Sequence, residues 1–292
     1  MAINNFFIGT KIQLYIFWQV LKKPIGPILG IFCQFMIMPV LSIGLCFLLL
    51  TDSSSVQLGL LAVGVSPAGA SSNLWTLAFD GNLDLSVALT VISTVASLGF
   101  VPLWLLTVGQ KVITSEANIQ IPFLKIIVGL LDLVIPLGFG ALFRRAKPEF
   151  CQAYSGLIIT VTSLLSGLLI AIGGALMASG MFRSLSLRRI VAGSLLPWLG
   201  FGIAYWGAYM LRFNAADCRT IAIETVLQNG SLAMAIIETA LPQPDSDMAL
   251  VMPGISLMVT VLPLSGFYAM GVVVRCWKTR HCNGKKPQVS AA

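Results

Sequence analysis

Polar residues interrupt this chain only briefly, and the apolar runs between them are long. Runs of about 20 mainly apolar residues, the length a helix needs to cross a bilayer, occur at 25–50, 56–79, 85–108, 120–143, 154–178, 189–212, 218–241 and 249–274. Their connections are short and polar, such as Thr51-Asp52-Ser53-Ser54-Ser55 and Pro242-Gln243-Pro244-Asp245. The pattern predicts an all-α membrane protein of about eight transmembrane helices. The leading segment, 1–24, carries Lys11, Lys22 and Lys23 and is too short to cross comfortably. It reads as an interfacial helix, or as the remnant of a span that the chain lacks.

Two runs carry interruptions. Ser66-Pro67-Ala68-Gly69 cannot continue an unbroken helix, because proline removes a backbone donor and glycine weakens the turn. Ser71, Ser72 and Asn73 follow directly. In the seventh run Glu224, Gln228, Asn229 and Gly230 fall mid-span. Each broken run is followed by an acidic turn, at Asp80-Gly81-Asn82-Leu83-Asp84 and Pro244-Asp245-Ser246-Asp247. Runs 1–3 and 6–8 thus share a plan and start on opposite sides, which predicts inverted repeats with two broken, crossing helices. Paired breaks of this kind point to a transporter binding site. A half-helix starting near Ala70 would aim its positive end at an anionic group. Freed carbonyls and hydroxyls would suit a hard cation such as Na⁺. A kinked helix without a site is the plainer reading of either break alone.

Composition sharpens the class. Apolar residues make up 57% and charged residues 10% of 292, with mean hydropathy +0.91. That is too little charge to cover a soluble globule, and it excludes a disordered chain. The net charge of +7 comes from short clusters between spans, not from a nucleic-acid-binding face. Thirteen of the 18 Lys and Arg fall on the side of both termini, which places both termini in the cytoplasm. The loop with Arg183, Arg188 and Arg189 runs against that bias. The six cysteines form no CxxC pair, and His281 lies in the basic tail, so neither a redox centre nor a transition-metal site is expected.

Most of the eleven acids lie in loops. Glu224 and Asp132 do not, and a charge at bilayer depth costs about 2.5–3.5 kcal/mol unless it has a partner, a cavity or an ion. Glu224, beside Gln228 and Asn229, reads as an ion ligand. Asp132 reads as structural or cavity-lining. An enzyme is disfavoured, since no nucleophile–base pair lies within the spans. A seven-span receptor would require an odd number of spans.

Three segments resemble the sodium/bile acid symporters, solute carrier family 10. Gln34-Phe35-Met36-Ile37-Met38-Pro39 is similar to that family's QFxIMP. Ser66 to Asn73, then Asp80 to Thr90 with Ser93 and Thr94, is similar to its PGGxxSN and GDxxLSVxxTxxST stretches. Glu224-Thr225-Val226-Leu227-Gln228-Asn229 with Leu232 and Ala233 is similar to its ExGxQNxxLA. The resemblance runs from about Gly9 to Val274.

The resemblance implies a panel and a core facing each other. The core repeats would occupy 25–110 and 187–276, the panel helices 120–178, and a cytoplasmic tail 277–292. One sodium site would comprise Ser72, Asn73, Ser86, Thr90 and Glu224. A second would comprise Gln34, Glu224, Gln228 and the backbone carbonyls of Thr225 and Leu227. Ala70, Ser71 and Asn229 would face the substrate, an amphipathic organic anion of the bile acid or steroid-conjugate class. Na⁺ would be the coupling ion, with no organic cofactor, in the plasma membrane. Ser86 and Thr90 are four apart, so one helix face carries both. The chain departs at Ala68, where a methyl stands at the crossing, and at Val226, each in place of glycine. It also starts near the end of the family's second span, which would leave the panel about half its helices. A non-transporting relative that binds sodium or a ligand is the alternative reading.

Overall fold

The computed structural model of the protein describes residues 2–10, 13–69, 71–113, 123–154, 157 and 185–283. Every regular element among them is a helix. Helices α1 (Ala2–Gly9) and α2 (Leu14–Lys22) precede the long α3 (Ile25–Leu49). The run expected at 56–79 divides into α4 (Ser54–Val65) and α5 (Ser72–Ala78). Next come α6 (Leu83–Gln110), α7 (Phe123–Ala146) and the short α8 (Pro148–Ala153). Helix α9 (Leu187–Met210) leads to α10 (Ala215–Val226) and α11 (Gly230–Ala240), the halves of the seventh run. The chain closes with α12 (Asp245–Ala249) and α13 (Val251–Asn283).

Among the described residues, five stretches are long and apolar enough to cross a membrane: Ile25–Leu49, Leu83–Gln110, Phe123–Ala146, Leu187–Met210 and Asp245–Gly271. With the two broken runs they account for seven of the eight expected spans. The run at 154–178 lies outside the described residues, Tyr154 and Leu157 excepted. The last helix continues to Asn283, past the expected boundary at 276.

Prolines shape the long helices, and neighbours complete what they leave open. Pro39 has no N–H for the Phe35 carbonyl four residues back. The chain widens into a π-helical turn at Cys33–Ile37, and Trp104 Nε1 donates to that carbonyl at 2.8 Å. Pro263 likewise frees the Val259 carbonyl, which accepts from Trp198 Nε1 at 3.0 Å. Pro197 frees Gly193, whose carbonyl accepts from Ser256 Oγ at 3.2 Å. Inside a bilayer such carbonyls have no water to turn to, so a neighbouring helix must supply the donor.

Phe35, Leu61, Leu105, Leu130, Leu196 and Met252, from six different helices, meet in one buried core. Outward faces carry Leu48, Phe139, Leu199 and Leu262, all exposed, as a lipid-facing surface would. Asp132 lies on the exposed face of α7, away from the polar residues described below. The connections meet in two groups. Asp52, before α4, pairs with Arg189 at the start of α9 (3.3 Å). Asn82, before α6, donates through Nδ2 to Asp217 near the start of α10 (2.8 Å).

Candidate ion site at the paired breaks

The first break follows from Pro67. A residue before proline is driven out of the helical region, and Ser66 is extended (φ −68, ψ 145). Its hydroxyl turns back to the Ala62 carbonyl at 2.7 Å. The chain re-enters a helix at Ser72, two residues later than expected, with Ser71 at the preceding cap position. Ala70 lies outside the described residues. The second break has no proline. Leu227 ends α10, and Asn229 starts α11 by accepting the Leu232 N–H on its side-chain oxygen at 3.1 Å.

The two breaks satisfy each other. Ala68 and Gln228 pair in an antiparallel bridge. Gly69 N donates to the Leu227 carbonyl at 2.7 Å, and Asn229 N donates to the Pro67 carbonyl at 2.8 Å. The close approach falls at Gly69, where a Cβ would stand 2.9 Å from the Gln228 carbonyl oxygen. The methyl of Ala68 is buried one position earlier and is accommodated.

Behind this pairing the first residue set converges. Ser86 Oγ donates to Glu224 Oε1, and Thr90 Oγ1 donates to Glu224 Oε2 at 2.9 Å. Ser86 Oγ lies 3.0 Å from Asn73 Oδ1, and Asn73 Nδ2 donates to Thr90 Oγ1 at 3.4 Å. Ser72 Oγ is 3.5 Å from Thr90 Oγ1. All five residues are at most 3% exposed, so the carboxylate is sealed from solvent. Arg219, five residues before Glu224, does not compensate it: its Nη2 donates to the Asp80 carbonyl at 2.7 Å. The cluster offers a carboxylate, three hydroxyls and an amide oxygen, a donor set that suits a hard cation.

The second set is assembled in part. Gln34 Nε2 donates to the Ser66 carbonyl at 2.5 Å. The Gln228 amide lies among the carbonyls of Val63, Ser66 and Thr225. Turned so that its nitrogen meets Val63 and Ser66, it accepts from Gln34 Nε2 at 3.2 Å. The Thr225 hydroxyl bonds back to Ile221 at 2.8 Å, leaving its carbonyl as the group it offers. The Leu227 carbonyl accepts from Gly69. Glu224 accepts from Ser86 and Thr90 of the first set, one hydroxyl on each carboxylate oxygen. The carbonyls of Val63 and Ser66 escaped the sequence reading. Ser66-Pro67 was their one local signal, because an X-Pro step ends a helix and exposes its last carbonyls.

Long apolar helices, two of them interrupted where buried oxygen-bearing side chains gather, define a polytopic membrane protein. A model of the Sodium Bile acid symporter family matches residues 1–187, and the chain belongs to that family, one of sodium-coupled transporters and not of enzymes. The ileal sodium/bile acid cotransporter of Mus musculus is 29% identical over 289 residues, covering 98% of this chain and 79% of its own. The P3 protein of Homo sapiens is 29% identical over 251 residues, covering 85% of this chain and 51% of its own. The sodium-dependent organic anion transporter of Bos taurus is 29% identical over 240 residues, covering 80% and 61%.

Proposed function

We propose that the protein is a sodium-coupled symporter of an amphipathic organic anion, of the bile acid or steroid-conjugate class, working by alternating access. The observation that carries this reading is the buried convergence of Ser72, Asn73, Ser86, Thr90 and Glu224 directly behind the paired breaks. In this reading those five hold one sodium ion. Gln34, Gln228 and the carbonyls of Thr225 and Leu227 hold a second, with Glu224 shared. Ala70, Ser71 and Asn229 face the anion. Asn229 spends its side-chain oxygen on the cap of α11, which leaves its amide NH₂ as a donor.

Coupling follows from the breaks themselves. Ions that organise the crossing improve the substrate site, and the substrate strengthens ion binding by the same factor. Two sodium ions moving with the potential would contribute about 2.3 kcal/mol each per 100 mV. We assign inverted three-helix repeats to 25–110 and 187–276, panel helices to 120–178, an interfacial segment to 1–24 and a tail to 277–292. Eight spans leave both termini in the cytoplasm, and the plasma membrane is the proposed residence. The meeting of Asp52 with Arg189, and of Asn82 with Asp217, supports that topology, because alternate connections of such a bundle share a side.

Uptake of taurocholate and of a sulfated steroid by cells expressing the chain tests the proposal. Uptake that depends on sodium supports it, and equal uptake in sodium and choline buffer overturns it. If sodium raises the thermal stability of the purified protein but no uptake occurs, the alternative holds: a non-transporting, sodium-binding relative.

A further inference from the structure

Only Lys23 and Pro24 join α2 to α3, and a groove opens beside this corner. Its volume is about 430 Å³, and every residue lining it is apolar. Leu21 and Pro24 form the near end, Ile28 and Met36 of α3 one wall, and Ile92 and Phe100 of α6 the other. Phe100 is held in place by stacking on Phe35, with ring centroids 4.8 Å apart and planes 12° from parallel. Ile28 and Phe32, four apart on one face of α3, both line the groove and are exposed, so it opens on the outer, lipid-facing side. Met36 lies twelve positions after Pro24, a distance of about 18 Å along a helix. Half of a bilayer's hydrocarbon core is about 15 Å deep. The groove therefore runs the depth of one leaflet, as an extended acyl chain does.

The near end is basic and carries the marks of headgroup depth. Tyr15, Trp18 and Lys22 are all exposed and fall on one face of α2. Exposed Tyr and Trp settle at the boundary between headgroups and acyl chains. Lys22 and Lys23 stand between Leu21 and Pro24 at the mouth of the groove, and residues 21–24 carry no acid. Among the described residues neither ammonium has an ion pair or a hydrogen-bond partner. The end of α2 meets the start of α3 here, so the two terminal dipoles offset and the lysines set the sign. We propose that this groove holds one anionic glycerophospholipid, with an acyl chain between α3 and α6 and its phosphate at Lys22 and Lys23. A neutral lipid would fill the apolar part equally well, and the two ammonium groups supply the preference for negative charge. The topology proposed above puts the corner in the cytoplasmic leaflet, which carries phosphatidylserine and phosphatidylinositol. Only the choice of leaflet rests on that reading, because the groove and its lysines are separate from the ion cluster.

Titration of the detergent-purified protein with phosphatidylserine or phosphatidylcholine, with bound lipid counted by native mass spectrometry, tests the proposal. One phosphatidylserine should bind about tenfold more tightly than phosphatidylcholine, from two lysines near its headgroup. Lys22→Gln combined with Lys23→Gln should abolish that preference. Arg145→Gln combined with Lys147→Gln, an exposed basic pair at the end of α7, should leave it in place. Ile92→Trp, which fills the groove, should weaken binding of both lipids. Equal affinity of the parent for the two lipids overturns the proposal. So does a preference that survives loss of Lys22 and Lys23, or one that falls equally in the Arg145 and Lys147 variant. One-for-one displacement of phosphatidylserine by taurocholate also overturns it, since the groove would then belong to the organic anion. None of these readouts needs sodium or transport, so failure of the lipid site is distinguishable from failure of the symport.

Discussion

Thr90 Oγ1 reaches Glu224 Oε2 at 2.9 Å across 134 positions of sequence, joining α6 to α10, the helix before the second break. Ser86, one turn earlier, reaches the other carboxylate oxygen. Two distant stretches of the chain are therefore tied at one buried carboxylate, and the tie consists of hydroxyls that, in the proposed function, would turn their lone pairs to a sodium ion.

Glu224→Gln keeps the shape and removes the charge. Sodium should lose its stabilising effect, which for a parent protein at a hundredfold excess over its dissociation constant is about 2.7 kcal/mol. Thermal unfolding with sodium or choline reads this directly. Uptake by the variant should no longer respond to sodium.

Thr90→Val should be the more disruptive of two changes on that helix face. It removes the donor to Glu224 and the acceptor for Asn73 together, at about 1–3 kcal/mol of stability for buried groups left unsatisfied. Thr90→Ser retains the oxygen and should retain sodium binding. If the valine variant matches the parent in sodium-dependent unfolding, Thr90 is not a ligand.

Gly69→Ala should separate the breaks. The added methyl would stand 2.9 Å from the Gln228 carbonyl oxygen, backbone that cannot swing aside. Uptake and sodium stabilisation should both fall sharply. Ala68→Gly, at the neighbouring bridge position, should leave both close to the parent.

Trp198→Phe and Trp104→Phe should each leave a proline-freed carbonyl without its donor, costing about 1–3 kcal/mol. Unfolding temperature should drop in each case while the sodium concentration for half-stabilisation holds steady. By contrast, Arg189→Gln breaks an ion pair whose aspartate is half exposed, and pairs of that kind contribute about 0–1 kcal/mol.

The first break could be placed from the chain alone because Pro67 dictates the conformation of Ser66. The restart of the helix came two residues later than expected, since nothing local distinguishes Ala70 from Ser72. The second break lacks proline and was visible only as polar residues in an apolar run. Ser86 and Thr90 announced a shared face by their spacing, and Glu224 by its cost in a span. What could not be read was long-range. No local signal makes Gly69 and Leu227 partners, or aims indoles at the carbonyls of Phe35 and Val259. The last helix outran its apolar stretch because nothing from Val272 to Asn283 breaks a helix, and Gly284 is the next residue that favours an end.

The proline-freed carbonyls also mark which unbroken helices are fastened to each other. Trp104 clasps α6 to α3, through Phe35, and Trp198 and Ser256 clasp α9 to α13, through Val259 and Gly193. None of these clasps involves a residue of the two crossings or of the Glu224 cluster. In the proposed symport these clasps would fasten unbroken helices to each other without drawing on the residues assigned to the ions. An ion held at Glu224 in that reading would retune a string without bending the instrument.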